Sequence, residues 1–458
     1  MYHGGNHYDR SAAGGLTNMY ANGVNLHSDG IPNEPKHTHL NRLHNAIATV
    51  SSDLVASDAQ YKSGVVLPWR YNASGSWSNG TQQVAFVYGQ TVFIESSAPR
   101  FVQTQYNGMV YDMAPNTVLI VQKGQLLFNT SAVQPVNLKR VNTPVWDAPL
   151  EWQVWSEGAY SAQSAASSQL DAGLPVYQFP RPVEQLNITQ DLTEYCWYTT
   201  RFTIADSQSA TTLHIDSGTA QSFIAYIDDE YVGTCYNQYK NWPFTADWQC
   251  NITVGDVSAG AHSLSLLSSA LGIENGMGPG EVPFRNHWKG VKAGGRVALG
   301  TVDLTTANTW TLRPYLTGEY LDLPSTAGHS SVPWSTEWQA VTGQPLTWYY
   351  AQFPAVDTPS SGVFSVLIDM TGFMRGHAFI NGHDIGRYWL IEGSDGKPTQ
   401  LLYHIPPDWL VEGGMNTLTV LEEVGSVDPS QVRLYVSQLQ STTEEQQDKR
   451  ASANVAQE

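Results

Sequence analysis

The sequence predicts a mainly β fold made of several antiparallel domains. The chain has 458 residues, which at about 150 residues per domain suggests roughly three domains. From about residue 60, short runs of β-branched and aromatic residues are separated by turn residues at intervals of about 8 to 12, the pattern typical of antiparallel sandwiches or barrels. A set of strand-like segments also occurs twice in the same order, which indicates two copies of one sandwich unit.

The composition favours a neutral ligand. Hydrophobic residues make up 41% of the chain, enough for sizeable cores, while charged residues make up 14% and the formal net charge is −18. An acidic chain gains nothing from counterion release at a nucleic acid or from attraction to an anionic membrane, so neither is expected as a partner. No run of about 18 apolar residues is present, so no membrane span is predicted.

Residues 36–58 form the one amphipathic helix that the sequence predicts, and residues 437–458 are polar and charged. In the helix, apolar residues recur at helical spacing. They are Leu40, Leu43, Ala46, Ile47 and Val50. The C-terminal segment has almost no large apolar residue, so it is predicted to be a disordered tail.

The internal repeat joins segments that lie 151 to 154 residues apart. Trp197-Tyr198 corresponds to Trp348-Tyr349, residues 213–216 to 366–369, residues 225–229 to 378–382, and residues 262–267 to 416–421. Asn381-Gly382 predicts a two-residue hairpin, because both central residues of a type I′ turn need positive φ. Four matches in one order indicate two related sandwiches of about 110 to 130 residues each.

The three cysteines are Cys196, Cys235 and Cys250, and none has the CxxC spacing of a zinc or redox motif. Two readings stay open at this point. Cys235 and Cys250 close a short disulfide loop, or all three are buried thiols that act as small hydrophobic residues.

The residues by themselves offer no complete active site. Glu422 and Glu423 are adjacent on a predicted strand, so their side chains point to opposite faces and do not form a catalytic pair. The acidic run 228–230 falls on a hairpin tip, where a solvated turn is favoured over a calcium site. The histidines at 37, 39 and 44 lack an acidic or cysteine partner, so no metal site is expected.

Long motifs resemble glycoside hydrolase family 35 β-galactosidases of the plant type. Residues 1–15, MYHGGNHYDRSAAGG, are similar to the family's YMYHGGTNFGRTAGG, and residues 183–200 are similar to its VEQINTTRDTSDYLWYMT. Residues 377–389, HAFINGHDIGRYW, resemble QAWVNGQSIGRYW, and residues 399–410 resemble TQRWYHVPRSWL. The resemblance covers about residues 1 to 435 in family order.

The resemblance implies a domain plan. Residues 1–58 are the last β/α unit of a (β/α)₈ catalytic barrel, and residues 59–140 are a small antiparallel β domain. Residues 141–325 and 326–436 are two jelly-roll, galactose-binding-like sandwiches, and residues 437–458 are the tail. The barrel unit cannot bury both faces of its strand alone. It is therefore expected to pack on the neighbouring β domain or to be mobile.

The resemblance also implies the chemistry. Family members are retaining exo-β-galactosidases that need no cofactor and use a glutamate acid/base and a glutamate nucleophile. Both glutamates precede the segment that matches Met1, so this chain is expected to hold no catalytic residue and to start inside the last barrel strand, without a secretory leader. Tyr2, His3 and Tyr20 match the edge of the family's galactose pocket. Asn22 stands where the family has a pocket tyrosine.

Four aromatic residues are candidate sugar platforms on the sandwiches, namely Trp334, Trp338, Tyr388 and Trp389. Tyr388 and Trp389 belong to the family motif, for which core packing is the alternative. Five sequons at Asn72, Asn79, Asn129, Asn187 and Asn251 are candidate N-glycosylation sites.

Two functions follow as expectations. The first is a β-galactosidase-like hydrolase represented by its non-catalytic C-terminal part, acting on a β-galactoside or a cell-wall polysaccharide. Its full-length parent is expected to be secreted, in the cell wall, or in a vacuole or lysosome. The second is a catalytically silent carbohydrate-binding or scaffold protein.

Overall fold

The computed structural model describes residues 25–56, 64–160, 170–236, 247–272, 288–392 and 396–441, apart from positions 28, 135, 147, 171, 172, 219, 220, 307, 399 and 426. Within these ranges the protein is mainly β and its named strands pair antiparallel, as predicted. None of the helices found there combines the length and the apolar character needed to cross a membrane.

Two helices precede the sheets. They are α1 (Lys36–Thr49) and α2 (Ser51–Ala56). The predicted single helix is therefore interrupted at Val50, whose backbone N–H still bonds to the carbonyls of Ala46 and Ile47. Ala46 and Val50 are buried against Phe128 of the following sheet, whereas Ile47, predicted to lie on the apolar face, is 37% exposed.

A seven-stranded antiparallel sheet forms the small β domain. Its strands are β1 (Val65–Arg70), β2 (Ser78–Tyr88), β3 (Thr91–Ser96), β4 (Val102–Tyr106), β5 (Met109–Met113), β6 (Thr117–Gln122) and β7 (Gln125–Asn129). Their spatial order is β5-β4-β1-β2-β3-β6-β7. In β5, Tyr111 and Met113 are buried and the neighbouring Val110 and Asp112 are exposed, so one face of this sheet covers a core and the other faces solvent.

The chain then forms two strands, β8 (Leu138–Pro144) and β9 (Gln153–Ser156), before it enters the first sandwich. The first sandwich consists of β10 (Tyr177–Phe179), α3 (Leu186–Thr189), β11 (Tyr195–Ile204), β12 (Gln208–Gly218), β13 (Gln221–Ile227), β14 (Glu230–Tyr236), β15 (Asp247–Val257), β16 (Gly260–Ala270), β17 (Val297–Leu299), β18 (Val302–Asp303) and β19 (Trp310–Pro314). Its two sheets are β10-β19-β11-β16-β13-β14 and β15-β12-β17-β18.

Short helices α4 (Thr317–Tyr320) and α5 (Thr326–His329) lead to the second sandwich. Its later strands are β20 (Thr347–Pro354), β21 (Phe364–Asp369), β22 (Arg375–Ile380), β23 (His383–Trp389), β24 (Leu402–Ile405), β25 (Met415–Glu422) and β26 (Arg433–Ser441). They form the sheets β23-β22-β25-β20-β9 and β24-β21-β26-β8. The second sandwich thus begins with β8 and β9, and the first sandwich is inserted between β9 and β20.

The predicted repeat is confirmed in topology and register. The order β11-β16-β13-β14 in the first sandwich matches β20-β25-β22-β23 in the second. Trp197 pairs with Leu267 in one and Trp348 with Leu421 in the other, at positions 151 and 154 residues apart. Asn381 and Gly382 both have positive φ, at 51° and 85°, as the predicted hairpin requires.

Two expected boundaries differ from the structure. The expected domain boundary at residue 140 falls inside β8, and β9 lies in the range expected for the first sandwich, but their partners are β26 and β20. Residues 437–441 were expected in the disordered tail, yet they extend β26, where Gln438 pairs with Val141 and Ser441 with Leu138. Strand pairing uses backbone groups, so a polar sequence is no obstacle to it. Residues from 442 onward lie outside the described residues.

Candidate functional site

The sandwich aromatics predicted as sugar platforms differ in how much surface they offer. Tyr388 is fully buried, and its hydroxyl oxygen lies 2.9 Å from both the Leu421 carbonyl oxygen and a Glu422 carboxylate oxygen. Its ring presents no face to a ligand, so the prediction for Tyr388 is wrong, because the side chain fills the core of its own sandwich. Trp389 is half-buried, with its ring edge-on to Tyr236 at 5.2 Å between centroids.

Trp334 and Trp338 are both half-buried beside the second sandwich. The Trp334 indole N–H donates to the His329 carbonyl at 2.7 Å, and its ring stacks on the His329 ring at 5.1 Å. Trp338 packs at the edge of the second-sandwich core. The pocket residues implied by the resemblance, Tyr2, His3, Tyr20 and Asn22, lie outside the described residues.

Cys235 and Cys250 form a disulfide, which decides between the two readings that the sequence left open. Cys235 is on β14 and Cys250 is on β15, so the bond joins the two sheets of the first sandwich. Cys196 is a free, buried thiol, and burial raises its pKa far above the usual range. A thiol held in its neutral form is a packing residue and not a nucleophile.

The two sandwiches meet through equivalent sheets. Trp197 and Trp348 occupy the same place in the two repeats, and both are fully buried in one shared apolar cluster. Tyr226 of the first sandwich and Phe379 of the second, also equivalent, belong to the same cluster. We call this contact the junction, defined by β11, β13 and β16 on one side and β20, β22 and β25 on the other.

A buried charged network spans the junction. The Glu423 carboxylate accepts hydrogen bonds from the Tyr195 hydroxyl at 2.6 Å, from Arg375 Nε at 2.7 Å and from Arg387 Nη1 at 2.5 Å. Arg375 Nη2 also donates to Ser222 Oγ across the junction at 2.8 Å. Burial alone would raise the pKa of Glu423, but the two guanidinium groups outweigh burial and lower it to about 2. Glu423 is therefore ionised at any physiological pH.

Glu194 completes the network from the first sandwich. It accepts a hydrogen bond from Arg387, and His377 Nε2 lies 3.2 Å from one of its oxygens. His377 Nδ1 lies 3.2 Å from Asp384. Burial and the Arg387 charge both lower the pKa of His377, but Glu194 and Asp384 prevail and raise it to about 10. The imidazole is thus a cation held between two carboxylates.

A cavity of about 220 Å³ opens beside this network. Its walls include Thr193, Glu194, Glu319, His377 and Asp384. Burial raises the pKa of Glu319 to about 7. Hydrogen bonds from the Thr193 hydroxyl at 2.7 Å and from the Leu316 backbone N–H lower this pKa, but burial outweighs them. The cavity therefore combines a carboxyl whose pKa lies near neutrality with a cationic imidazole.

These carboxylates have structural partners. Glu194 and Glu423 are bound to arginines, and Glu319 caps the first turn of α4. The sequence correctly predicted that Glu422 and Glu423 point to opposite faces, since Glu422 meets the backbone N–H of Met374 at 2.8 Å on the other side of the strand. Among the described residues, no group of three or more His, Cys, Asp or Glu is placed to hold a metal ion.

Sequence reasoning missed the junction network. A signal was present in the repeat, because Arg375, His377 and Arg387 stand where the first copy has Ser222, Ile224 and Thr234.

The acidic run 228–230 forms a turn, as the sequence favoured. Asp228 accepts a hydrogen bond from Ser263 N at 2.8 Å and pairs with His262 at 2.6 Å.

Comparison with known proteins finds similarity to β-galactosidases. The family model "Beta-galactosidase, galactose-binding domain" matches residues 346–416, which lie in the second sandwich. Beta-galactosidase 11 of Oryza sativa subsp. japonica is 28% identical over 437 residues, covering 93% of this chain and 47% of that protein. Beta-galactosidase 8 of Arabidopsis thaliana is 29% identical over 482 residues, covering 96% of this chain and 52% of that protein.

The probable beta-galactosidase 2 of Dictyostelium discoideum is 26% identical over 490 residues, with 96% of this chain and 60% of that protein covered. Among solved structures, a GH2 beta-galacturonidase from Eisenbergiella tayi matches with 14% identity over 63% of this chain and 36% of that one, at a TM-score of 0.17, which is too low to bear on the fold. The chain spans about half the length of the first two relatives.

Proposed function

We propose, from the similarity to β-galactosidases and the resemblance to glycoside hydrolase family 35, that this chain is the non-catalytic C-terminal portion of such an enzyme. The parent enzyme would hydrolyse terminal β-galactosyl residues with retention of configuration. The observation that carries the proposal is the extent of the match, 93% and 96% of this chain against 47% and 52% of two plant relatives.

The junction supports a structural role for this portion. A retaining glycosidase needs one protonated and one ionised carboxyl about 5 to 5.5 Å apart and free to reach the glycosidic bond. In the described residues, Glu194 and Glu423 are neutralised by arginines and Glu319 caps a helix. We infer that these groups fix the two sandwiches as one rigid body beside a barrel that carries the chemistry.

The test is hydrolysis of a nitrophenyl β-galactoside. The purified 458-residue chain is expected to release no nitrophenol above the uncatalysed rate. If the genomic DNA upstream of Met1 encodes a barrel in frame, the longer chain is expected to hydrolyse the same substrate. Turnover by the 458-residue chain alone would refute the proposal.

A second candidate is a catalytically silent carbohydrate-binding protein. It is favoured by the match of residues 346–416 to a galactose-binding domain. It predicts saturable binding of a galactoside or of pectic galactan in calorimetry, lost in Trp334→Ala or Trp338→Ala. The Tyr388 position has no part in this test, since it is buried. Absence of any heat of binding would end this candidate.

The ligand class and location follow as proposals. A β-galactoside is the ligand that the relatives' names support, and a cell-wall polysaccharide is proposed as its natural source. Secretion to the cell wall or delivery to a vacuole or lysosome is the proposed location. The Cys235–Cys250 disulfide supports an oxidising compartment, because such bonds persist mainly outside the cytosol. A chain purified from its natural source with both thiols free would contradict this location.

A further inference from the structure

Of the five sequons, the one at Asn79 lies in an unusual setting. Counting two residues back from each asparagine gives Arg70, Trp77, Leu127, Gln185 and Gln249, so Asn79 alone follows an aromatic residue at that spacing. Trp77 immediately precedes β2 and Asn79 is its second residue. Side chains two residues apart on an extended strand point to the same face, so the Trp77 ring and the Asn79 amide are neighbours.

This face of the sheet is exposed. Asn79 pairs with Pro68 on β1, and the first residues of β2 extend beyond β3, whose pairing begins at Gln83. Thr81, which completes the sequon, is exposed as well. Asn79 is exposed, and its side-chain amide makes no hydrogen bond to any of the described residues.

Trp77 is the one exposed tryptophan in the part of the chain that the structure describes, with 38% of its surface accessible. One side of its ring is covered by the Arg70 guanidinium, whose carbon lies 4.5 Å from the ring centroid. Arg70 is itself held in place, because its Nε donates to Gln103 Oε1 at 3.1 Å and Gln103 Nε2 donates to Asp112 Oδ1 at 2.8 Å. This row holds one face of the indole in place, and 38% of the side chain remains accessible.

The remaining sequons lack this arrangement. Asn72 Oδ1 accepts a hydrogen bond from Ser74 Oγ at 3.0 Å, Asn129 is half-buried and bonded to Ser131, and Asn251 Oδ1 lies 2.9 Å from His214 Nδ1. Asn187 is exposed on α3 with a glutamine two residues before it.

We propose that Asn79 carries an N-linked glycan whose first N-acetylglucosamine packs on the exposed surface of Trp77. The C–H-rich face of a pyranose is apolar, and a flat indole two residues away offers it the contact that suits an amphipathic ring. Arg70 already holds the indole in place, so packing of the glycan does not carry the entropic cost of ordering that side chain. The glycan would thereby cover and stabilise the small β domain. This proposal rests on the secretory location proposed above and is independent of the hydrolase proposal.

The test is a double-mutant cycle on the full chain, secreted from a eukaryotic host behind a cleavable signal peptide. Thr81→Ala abolishes the sequon, Trp77→Ala removes the ring, and Thr81→Ser keeps the sequon as the matched control. Peptide mapping is expected to find Asn79 occupied in the wild-type chain and in Thr81→Ser. Thr81→Ala is expected to lower the melting midpoint of the small domain by on the order of 2 to 6 °C, and Thr81→Ser to leave it unchanged.

In the Trp77→Ala background, Thr81→Ala is expected to cause no further shift, because the glycan then has no ring to pack on. Removal of the neighbouring glycan site by Asn72→Gln provides the second control, and its effect is expected to be the same with and without Trp77. An unoccupied Asn79, or an equal shift from Thr81→Ala in both backgrounds, would overturn the proposal. Neither result would affect the hydrolysis assay, so the two proposals fail separately.

Discussion

The two sandwiches share topology and register but differ where they face each other. At three equivalent positions the second sandwich has Arg375, His377 and Arg387, and the first has much smaller or apolar residues. The first sandwich contributes Glu194, which immediately precedes β11 and contacts Arg387 and His377. The repeated fold therefore supplies two similar sheet faces, and the charged substitutions on one of them define how they dock.

The sandwiches also differ in how their two sheets are tied together. The disulfide of the first joins Cys235 on β14 to Cys250 on β15. The register places Tyr388 and Tyr403 at the same two positions of the second sandwich, because Phe223 pairs with Cys235 as Gly376 pairs with Tyr388. A covalent link in one copy is thus replaced by two buried tyrosines in the other.

The largest expected effect comes from breaking the junction network. Arg387→Ala leaves Glu194 and Glu423 as buried carboxylates with one partner fewer, and the free energy of unfolding is expected to fall by about 3 to 5 kcal/mol. Urea denaturation followed by tryptophan fluorescence measures the change. The matched control is Thr234→Ala at the equivalent position of the first sandwich, with an expected change within about 0.5 kcal/mol. Equal losses in the two variants would show that the junction is not held by charge.

The next effect comes from the disulfide. The paired change Cys235→Ala and Cys250→Ala is expected to cost the first sandwich about 3 kcal/mol, since the bond closes a loop of 15 residues in the unfolded chain. Denaturation with and without reductant provides the measurement. Reductant is expected to destabilise the wild-type chain and to leave the paired variant unchanged. A reductant effect that persists in the variant would contradict this account.

A pH experiment isolates the cavity at the junction. Because the pKa of Glu319 is raised from 4.5 to about 7, its contribution to stability is fully present below pH 4.5 and is lost as the pH rises through about 7. Between pH 5 and 8, the melting midpoint is expected to fall less steeply with pH in Glu319→Gln than in the wild-type chain. Exposed Glu337→Gln is the control, with a slope equal to that of the wild type. The pKa of His377 is also raised, so its contribution to stability also falls as the pH rises above 6.5. Only the difference between the variant and the wild-type chain therefore reports the contribution of Glu319.

The sequence predicted the parts of this fold that depend on local pattern. Alternating residues at 213–216 and 366–369 became equivalent strands, and the adjacent Glu422 and Glu423 face opposite ways because side chains alternate along a strand. Asn381-Gly382 formed its hairpin for an equally local reason.

Long-range pairing could not be predicted in this way. The partners of β8 and β9 lie about 200 to 300 residues later in the chain, and nothing in the sequence of either strand specifies them. The same is true of the junction. Tyr195 meets Glu423, and Glu194 meets Arg387, only because two sheet faces dock, and docking is a property of surfaces that distant segments build together. Tyr388, predicted as a platform, is likewise buried by strands from both sheets of its sandwich.

The smallest effect tests whether the tyrosine pair replaces the disulfide in strength or only in position. The Trp389 backbone N–H donates to the Tyr403 hydroxyl at 3.0 Å, so Tyr403→Phe removes one partly buried hydrogen bond and is expected to cost about 1 kcal/mol. Urea denaturation with exposed Tyr231→Phe as the control measures it. A cost near that of the disulfide would mean that the tyrosine is the main tie between the sheets. A cost of about 1 kcal/mol means that the second sandwich is held mainly by its apolar core, because a single hydrogen bond leaves the packing of both rings in place.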